Sequence, residues 1–176
     1  MVGFKKIMHI NIDHVHLVKM GGTIEFFDPD YDMIKDLMKL DSTIDNYLNS
    51  IIKPHFGWSA ETITQKDSRE ITSDDRKRLK DAIIKTDYKN IIVTHGTFTM
   101  VETAKYLEGY DFSEKKIIIT GSMIPLAGFT TADAGFNLGF AIASFSGINP
   151  GVYLTMNGGL FSADEVIKNR KLFRFE

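Results

Sequence analysis

Again and again along this chain a run of apolar, β-forming residues stops at glycine. VHLVKMGG (15–22), KNIIVTHG (89–96), KKIIITGS (115–122) and GVYLTMNGG (151–159) all follow that pattern. A short strand that is apolar nearly throughout is one buried on both faces, as in a parallel sheet. The first three runs are followed by segments with apolar residues at helical spacing. Residues 28–53 carry Tyr31, Ile34, Leu37 and Met38, then Ile44, Leu48, Ile51 and Ile52 after a break near Asp41. TMVETAKYLEGY follows the second run and TADAGFNLGFAIASFS the third.

Three strand–glycine–helix units in succession predict an α/β fold. The expected architecture is a three-layer αβα sandwich around a mainly parallel, Rossmann-like sheet with right-handed crossovers. A further helix is expected after Thr72 or Ser73, either of which suits an N-cap, with Asp74 and Asp75 in the first turn and Leu79, Ile83 and Ile84 as its apolar stripe. Glu61 to Gln65 reads as a short strand. The N-terminal runs Lys6–Ile12 and Val15–Met20 fit either one long strand or a hairpin over 5–20. At 176 residues the chain is expected to form a single domain, removing roughly two-thirds of its unfolded surface from water.

Composition narrows the function classes. Twenty-one basic against 23 acidic side chains leave a net charge of -2, which gives no electrostatic reason to expect nucleic acid or an anionic membrane as a partner. There is no cysteine, so disulfides, thiolate nucleophiles and cysteine-ligated metals are excluded. The early residues interleave Asp13, His14 and His16 with apolar ones, and no membrane-length apolar run appears. The expected location is the cytoplasm. No Walker A lysine pattern and no GxGxxG occur, so no nucleotide cofactor is expected. His14 and His16 would share a strand face, but no acidic partner at ligand spacing accompanies them in the sequence, and no metal is expected.

In parallel α/β sheets the ligand site lies outside the carboxyl ends of the strands. GGT (21–23), HGT (95–97), TGS (120–122) and NGG (157–159) all fall there. Thr23 and Thr97 each follow a glycine. A threonine hydroxyl is a nucleophile only when a base takes its proton, and glycine lets free backbone N–H groups approach a carbonyl oxygen as it turns negative. The same threonines also suit a structural role, capping helices or bracing turns. His95 fits either a general base or a hydrogen-bonded structural histidine.

Taken together, GGTI (21–24), DSRE (67–70), VTHGTFTM (93–100), ITGSMIPL (119–126), TADAGFNL (131–138) and GVYLTMNGGLF (151–161) resemble, in order and spacing, the N-terminal domain of the bacterial L-asparaginase/glutaminase family. The resemblance implies a threonine amidohydrolase without a cofactor. Thr23 is similar to the family's nucleophile, Thr97 to its second threonine and Lys168 to the lysine that partners that threonine. Ser68 is similar to the residue that binds the substrate's α-carboxylate. Gly22, Arg69, Glu70, Gly96, Phe98 and Ser122 complete the expected pocket. The implied ligand is a small amide or amino acid, and the implied assembly a homodimer or higher homo-oligomer.

Departures from the pattern bear on substrate. The family motif is HGTDTM, whose aspartate grips the substrate's α-amino group; here that position is Phe98, which has neither charge nor acceptor. Arg69 and Glu70 follow the serine in place of the usual pair. EFFDPDYDM replaces the family's mobile loop, with Tyr31 a candidate stand-in for its tyrosine. Relatives continue into a second domain where this chain ends near Glu176, and a pocket more open than theirs is expected. The sequence thus supports an amidohydrolase acting on a small carboxamide. A binding or regulatory domain that has lost catalysis, and a structural domain that oligomerises, stay open beside it.

Overall fold

The computed structural model describes residues 12–25, 43–126, 131–172 and 174–176. Six strands form one sheet: β1 (His14–Gly21), β2 (Gly57–Lys66), β3 (Asn90–Thr94), β4 (Lys116–Thr120), β5 (Gly151–Met156) and β6 (Gly159–Ser162). Their spatial order is β2-β1-β3-β4-β5-β6. The first five are parallel, and β6 returns antiparallel to β5. A two-residue ladder, β7 (Lys168–Asn169) with β8 (Arg174–Phe175), lies near the C-terminus.

The apolar runs become two cores because side chains alternate across a strand. Val18, Val93, Ile119 and Leu154 face one side. There they pack with Leu79 and Ile83 of α2 (Ser73–Lys85) and with Met100, Ala104 and Leu107 of α3 (Met100–Glu108). Leu17, Ile92 and Ile118 face the other side. They meet Ile44 of α1 (Thr43–Asn46), Leu48 of the π-helical turn that continues it (Tyr47–Ile52), and Ala134, Leu138 and Ala141 of α4 (Ala134–Ser144). This is the α/β three-layer arrangement expected from the repeat.

The start of α2 is written in its residues. The Thr72 hydroxyl accepts the Asp75 N–H at 3.2 Å while the Asp75 carboxylate accepts the Thr72 N–H at 2.9 Å, a reciprocal cap. Buried Asp75 also takes Lys66 Nζ at 2.8 Å and Arg78. Burial alone would raise its pKa, but the hydrogen bonds from Lys66, Thr72 and Arg78 outweigh it and hold the carboxyl far below the usual range.

Three expectations meet the structure differently. The strand expected over 61–65 is the ten-residue β2, extended by its pairing along the whole of β1. The 5–20 hairpin falls largely on residues outside those described, and within them Val15–Met20 belongs to a strand flanked in parallel by β2 and β3. Tyr31 and the first part of the 28–53 helix also lie outside the described residues. No helix among the described residues is long and apolar enough to cross a membrane.

Candidate active site

With β1 between β2 and β3, the crossover direction reverses between β1 and β3, the switch point at which open α/β sheets form a binding cleft. The GGT and HGT turns sit at that point. Gly22 has φ +81°, and a Cβ on it would lie 2.3 Å from the Gly96 backbone nitrogen. A Cβ on Gly96 would in turn lie 2.7 Å from Ser68 Cβ and Oγ. Both positions demand glycine because three backbone segments touch there.

Ser68 opens a short 3-10 turn, Ser68–Glu70, that follows β2. Its hydroxyl accepts the Phe98 N–H at 3.1 Å, and its carbonyl accepts the Thr99 hydroxyl at 2.5 Å. The serine loop is thereby stitched to the segment between β3 and α3. Asp67 caps the turn through the Arg69 N–H at 2.8 Å and pairs with the Arg69 guanidinium at 2.9 Å.

Lys168 comes from the far end of the chain. Its Nζ lies 2.8 Å from Thr97 Oγ1 and 3.0 Å from Thr97 O. Burial, with the Arg170 guanidinium nearby, holds its ammonium below the usual lysine range. While charged, the amine donates to the Thr97 hydroxyl; once neutral, its lone pair can accept that hydroxyl's proton. Among the described residues the hydroxyl otherwise reaches only the Met123 thioether, at 3.7 Å.

Phe98, next along the chain from Thr97, is 47% exposed. Its ring has the Arg69 guanidinium 4.8 Å from its centroid and Lys168 Nζ at 4.7 Å.

The structure therefore brings together Gly22, Ser68, Arg69, Gly96, Thr97, Phe98 and Lys168. Thr23 directly follows Gly22 and is exposed, and no hydrogen bond links it to Thr97 or Lys168 among the described residues. Ser122 is buried on the segment leading to Met123, and its Oγ has no protein partner among them. Glu70 is exposed, and no hydrogen bond joins its carboxylate to the group among the described residues.

His95 is spent elsewhere. Arg76 donates to Thr103 Oγ1 at 3.0 Å, so the Thr103 hydroxyl gives its own proton to His95 Nε2 at 2.9 Å. His95 Nδ1–H then donates to Gly96 O at 2.8 Å. Both ring nitrogens are committed, and burial lowers the pKa to about 4, leaving the imidazole neutral.

Two groups went unread in the sequence. Asn137 of α4 donates to Gly121 O and to Asp133, each at 3.0 Å, and accepts the Asn157 N–H at 3.1 Å, tying the turns after β4 and β5 together. Asp133 itself accepts the Met123 and Ile124 N–H groups. The signal was present in TADAGFNL: a polar residue one helical turn beyond an N-terminal Asp on an otherwise apolar helix. The second group is Glu61, which accepts from His16 Nε2 at 3.0 Å while Ser59 bridges His16 and His14 at 2.8 and 2.9 Å. These partners arrive across the parallel β1–β2 pairing, so no sequence-local spacing reveals them. Among the described residues no group of three or more His, Asp or Glu side chains is placed to hold a metal ion.

The family model described as Asparaginase, N-terminal matches residues 14–172. A glutaminase-asparaginase from Acinetobacter glutaminasificans is 34% identical over 113 residues, covering 62% of this chain and 33% of that protein. L-asparaginase 2 of Escherichia coli (strain K12) is 34% identical over 95 residues, covering 52% of this chain and 26% of the other. Among solved structures, a probable cytoplasmic L-asparaginase from Campylobacter jejuni superposes with a TM-score of 0.75 at 27% identity, over 93% of this chain and 52% of that one. The match thus spans a third or less of these two curated relatives and about half of the solved chain.

Proposed function

This chain belongs to the asparaginase family through its N-terminal domain, and from that premise we propose that it is an amidohydrolase acting on a small carboxamide with a threonine nucleophile. The observation that carries the reading is the 2.8 Å contact between Lys168 Nζ and Thr97 Oγ1 at the β1/β3 cleft. In this reading Thr23 attacks the amide carbonyl. The neutral Lys168 amine, acting through Thr97, receives a proton and later returns one to the leaving ammonia. Water then cleaves the Thr23 ester and restores the hydroxyl. Backbone N–H groups of the glycine turns offer donors for the oxyanion, and the buried Ser68 binds a carboxyl group of the substrate.

The test is ammonia release from a panel of primary amides by the wild type and by Thr23→Ala, Thr97→Val and Lys168→Met. Turnover by the wild type, with each variant lowering kcat/KM about 100-fold or more, supports the reading. Wild-type silence across the panel overturns it.

A second reading, a ligand-binding domain without turnover, is favoured by one observation: Thr23 lacks a hydrogen bond to either Thr97 or Lys168 among the described residues. It predicts saturable binding of amides, unchanged by Thr23→Ala, with no ammonia released.

A further inference from the structure

The rim of the cleft carries a charge pattern that bears on which amides enter. Phe98 presents its ring to solvent with a cation at each of two approaches, Arg69 at 4.8 Å and Lys168 at 4.7 Å from the centroid. The ring's π system, which attracts cations, is already occupied by these two. The carboxylate paired with Arg69 is Asp67, which engages the guanidinium through both of its oxygens, at 2.9 and 3.1 Å. Among the described residues no carboxylate forms an ion pair with Lys168. A ligand that touches Thr97 Oγ1 lies within reach of Lys168, 2.8 Å away, and hence beside the Phe98 ring.

An ammonium on such a ligand would lose water and meet the Lys168 ammonium, which no carboxylate pairs with among the described residues, whereas the Arg69 charge is already offset by Asp67 and nearby Glu70. An anionic group gains from the Lys168 ammonium. It also gains from the Ser68 hydroxyl, whose oxygen is taken as acceptor by the Phe98 N–H and whose own hydrogen is thereby left to donate. The methylene stem between anion and amide would rest against the ring.

We infer that Phe98 is a specificity-determining residue that selects carboxamides bearing a carboxylate but no ammonium: monoamides of simple dicarboxylic acids rather than amino-acid amides. The inference rests on the amidohydrolase reading of the cleft, yet it concerns ligand charge and is measurable without turnover. The reaction balances as an ordinary hydrolysis. The amide C–N bond breaks, water supplies the hydroxyl, and a dicarboxylate and ammonia leave.

The experiment compares succinamate with L-asparagine, which differ only by the α-ammonium, in the intact chain. Ammonia release and calorimetric binding are measured for the wild type, Phe98→Asp and Phe98→Asn. The expected result is a wild-type preference for succinamate of tenfold or more in kcat/KM. Phe98→Asp should move that ratio toward asparagine by at least tenfold. Phe98→Asn, similar in size to the aspartate but uncharged, should not.

If wild type turns over asparagine as well as or better than succinamate, the inference is overturned while the amidohydrolase reading survives. If no amide releases ammonia, that reading fails, and binding decides the inference alone. Tighter binding of succinamate that reverses in Phe98→Asp supports it, and equal or undetectable binding of the pair overturns it. The wild-type ratio stands as a test in its own right, whatever the folding of the variants.

Discussion

Lys168 and His95 show how the same force, burial, prepares one side chain for chemistry and retires another. Lys168 is half-buried with its ammonium held below the usual 10.5, so a neutral fraction exists at lower pH than for a free lysine. Activity that needs this neutral amine should rise with pH along a limb whose midpoint lies below 10.5. Lys168→Arg, which keeps the charge but does not deprotonate in this range, should lose both the limb and most of kcat/KM. A pH–rate profile that is flat in the wild type would remove the amine from the reaction. For His95 the consequence is stability. Its folded pKa of about 4 lies below the 6.5 of a free histidine, so the unfolded chain binds the proton more readily. The contribution is therefore complete above about 6.5 and is lost as pH falls toward 4. At about 1.4 kcal/mol per pKa unit it amounts to roughly 3 kcal/mol. Urea unfolding at pH 7 and pH 4 should show that loss, and His95→Asn should flatten it. Asp75 acts with the same sign at lower pH, because its carboxyl is also depressed on folding.

Among the elements, the turns after β1, β3, β4 and β5 are coupled by contacts that each come from a different part of the chain. Gly22→Ala would place a methyl 2.3 Å from the Gly96 nitrogen at a φ of +81°, and since both neighbours are backbone, the two turns must separate. The expected cost is about 2–4 kcal/mol, read as a lower urea midpoint at unchanged slope. Asn137→Ala removes a buried side chain that bonds Gly121 O, Asp133 and the Asn157 N–H. The Asn157 side chain accepts the Phe175 N–H at 3.3 Å, and Phe175 pairs with Lys168 across β7–β8. This variant should therefore lose about 2–4 kcal/mol and also shift the alkaline limb set by Lys168; a stability loss with that limb unmoved would confine Asn137 to a scaffolding role. DSRE joined GGT and HGT only through the family resemblance, while the glycine-terminated strands, the α2 cap and the position of GGT and HGT at strand ends were legible in the sequence because each is a local pattern. Lys19 was not. It sits in an apolar run, yet is buried and meets both oxygens of Asp45 at 3.1 and 2.9 Å, a pairing fixed by how α1 packs on β1. Arg69, Phe98 and Lys168 were expected in one pocket through the family resemblance, but that both cations lie against the Phe98 ring was not legible, since Arg69 and Lys168 are 99 positions apart in a chain that the sheet order folds together.

At the scale of the whole molecule, the sheet is shared property. Each of β1, β3 and β4 gives alternate residues to the two helix layers, so Val93 and Ile119 serve one core while their chain neighbours Ile92 and Ile118 serve the other. Neither layer can come away without exposing a face of the same strands, which makes the two cores thermodynamically one unit and keeps the strand-end turns in fixed relation. Truncating one core should then weaken both. Leu79→Ala in α2 and Leu138→Ala in α4, each at a fully or nearly fully buried position, are expected to cost about 2–5 kcal/mol apiece. In each variant unfolding should remain a single transition. The single tryptophan, Trp58, packs against the α1/α4 core, so its fluorescence reports one layer while far-UV circular dichroism reports all of them. Coincident curves in wild type and in both variants are the expected result. If Leu79→Ala moved the circular dichroism transition and left the Trp58 transition in place, the layers would be separable, and the cleft at the β1/β3 switch would rest on the α1/α4 side alone.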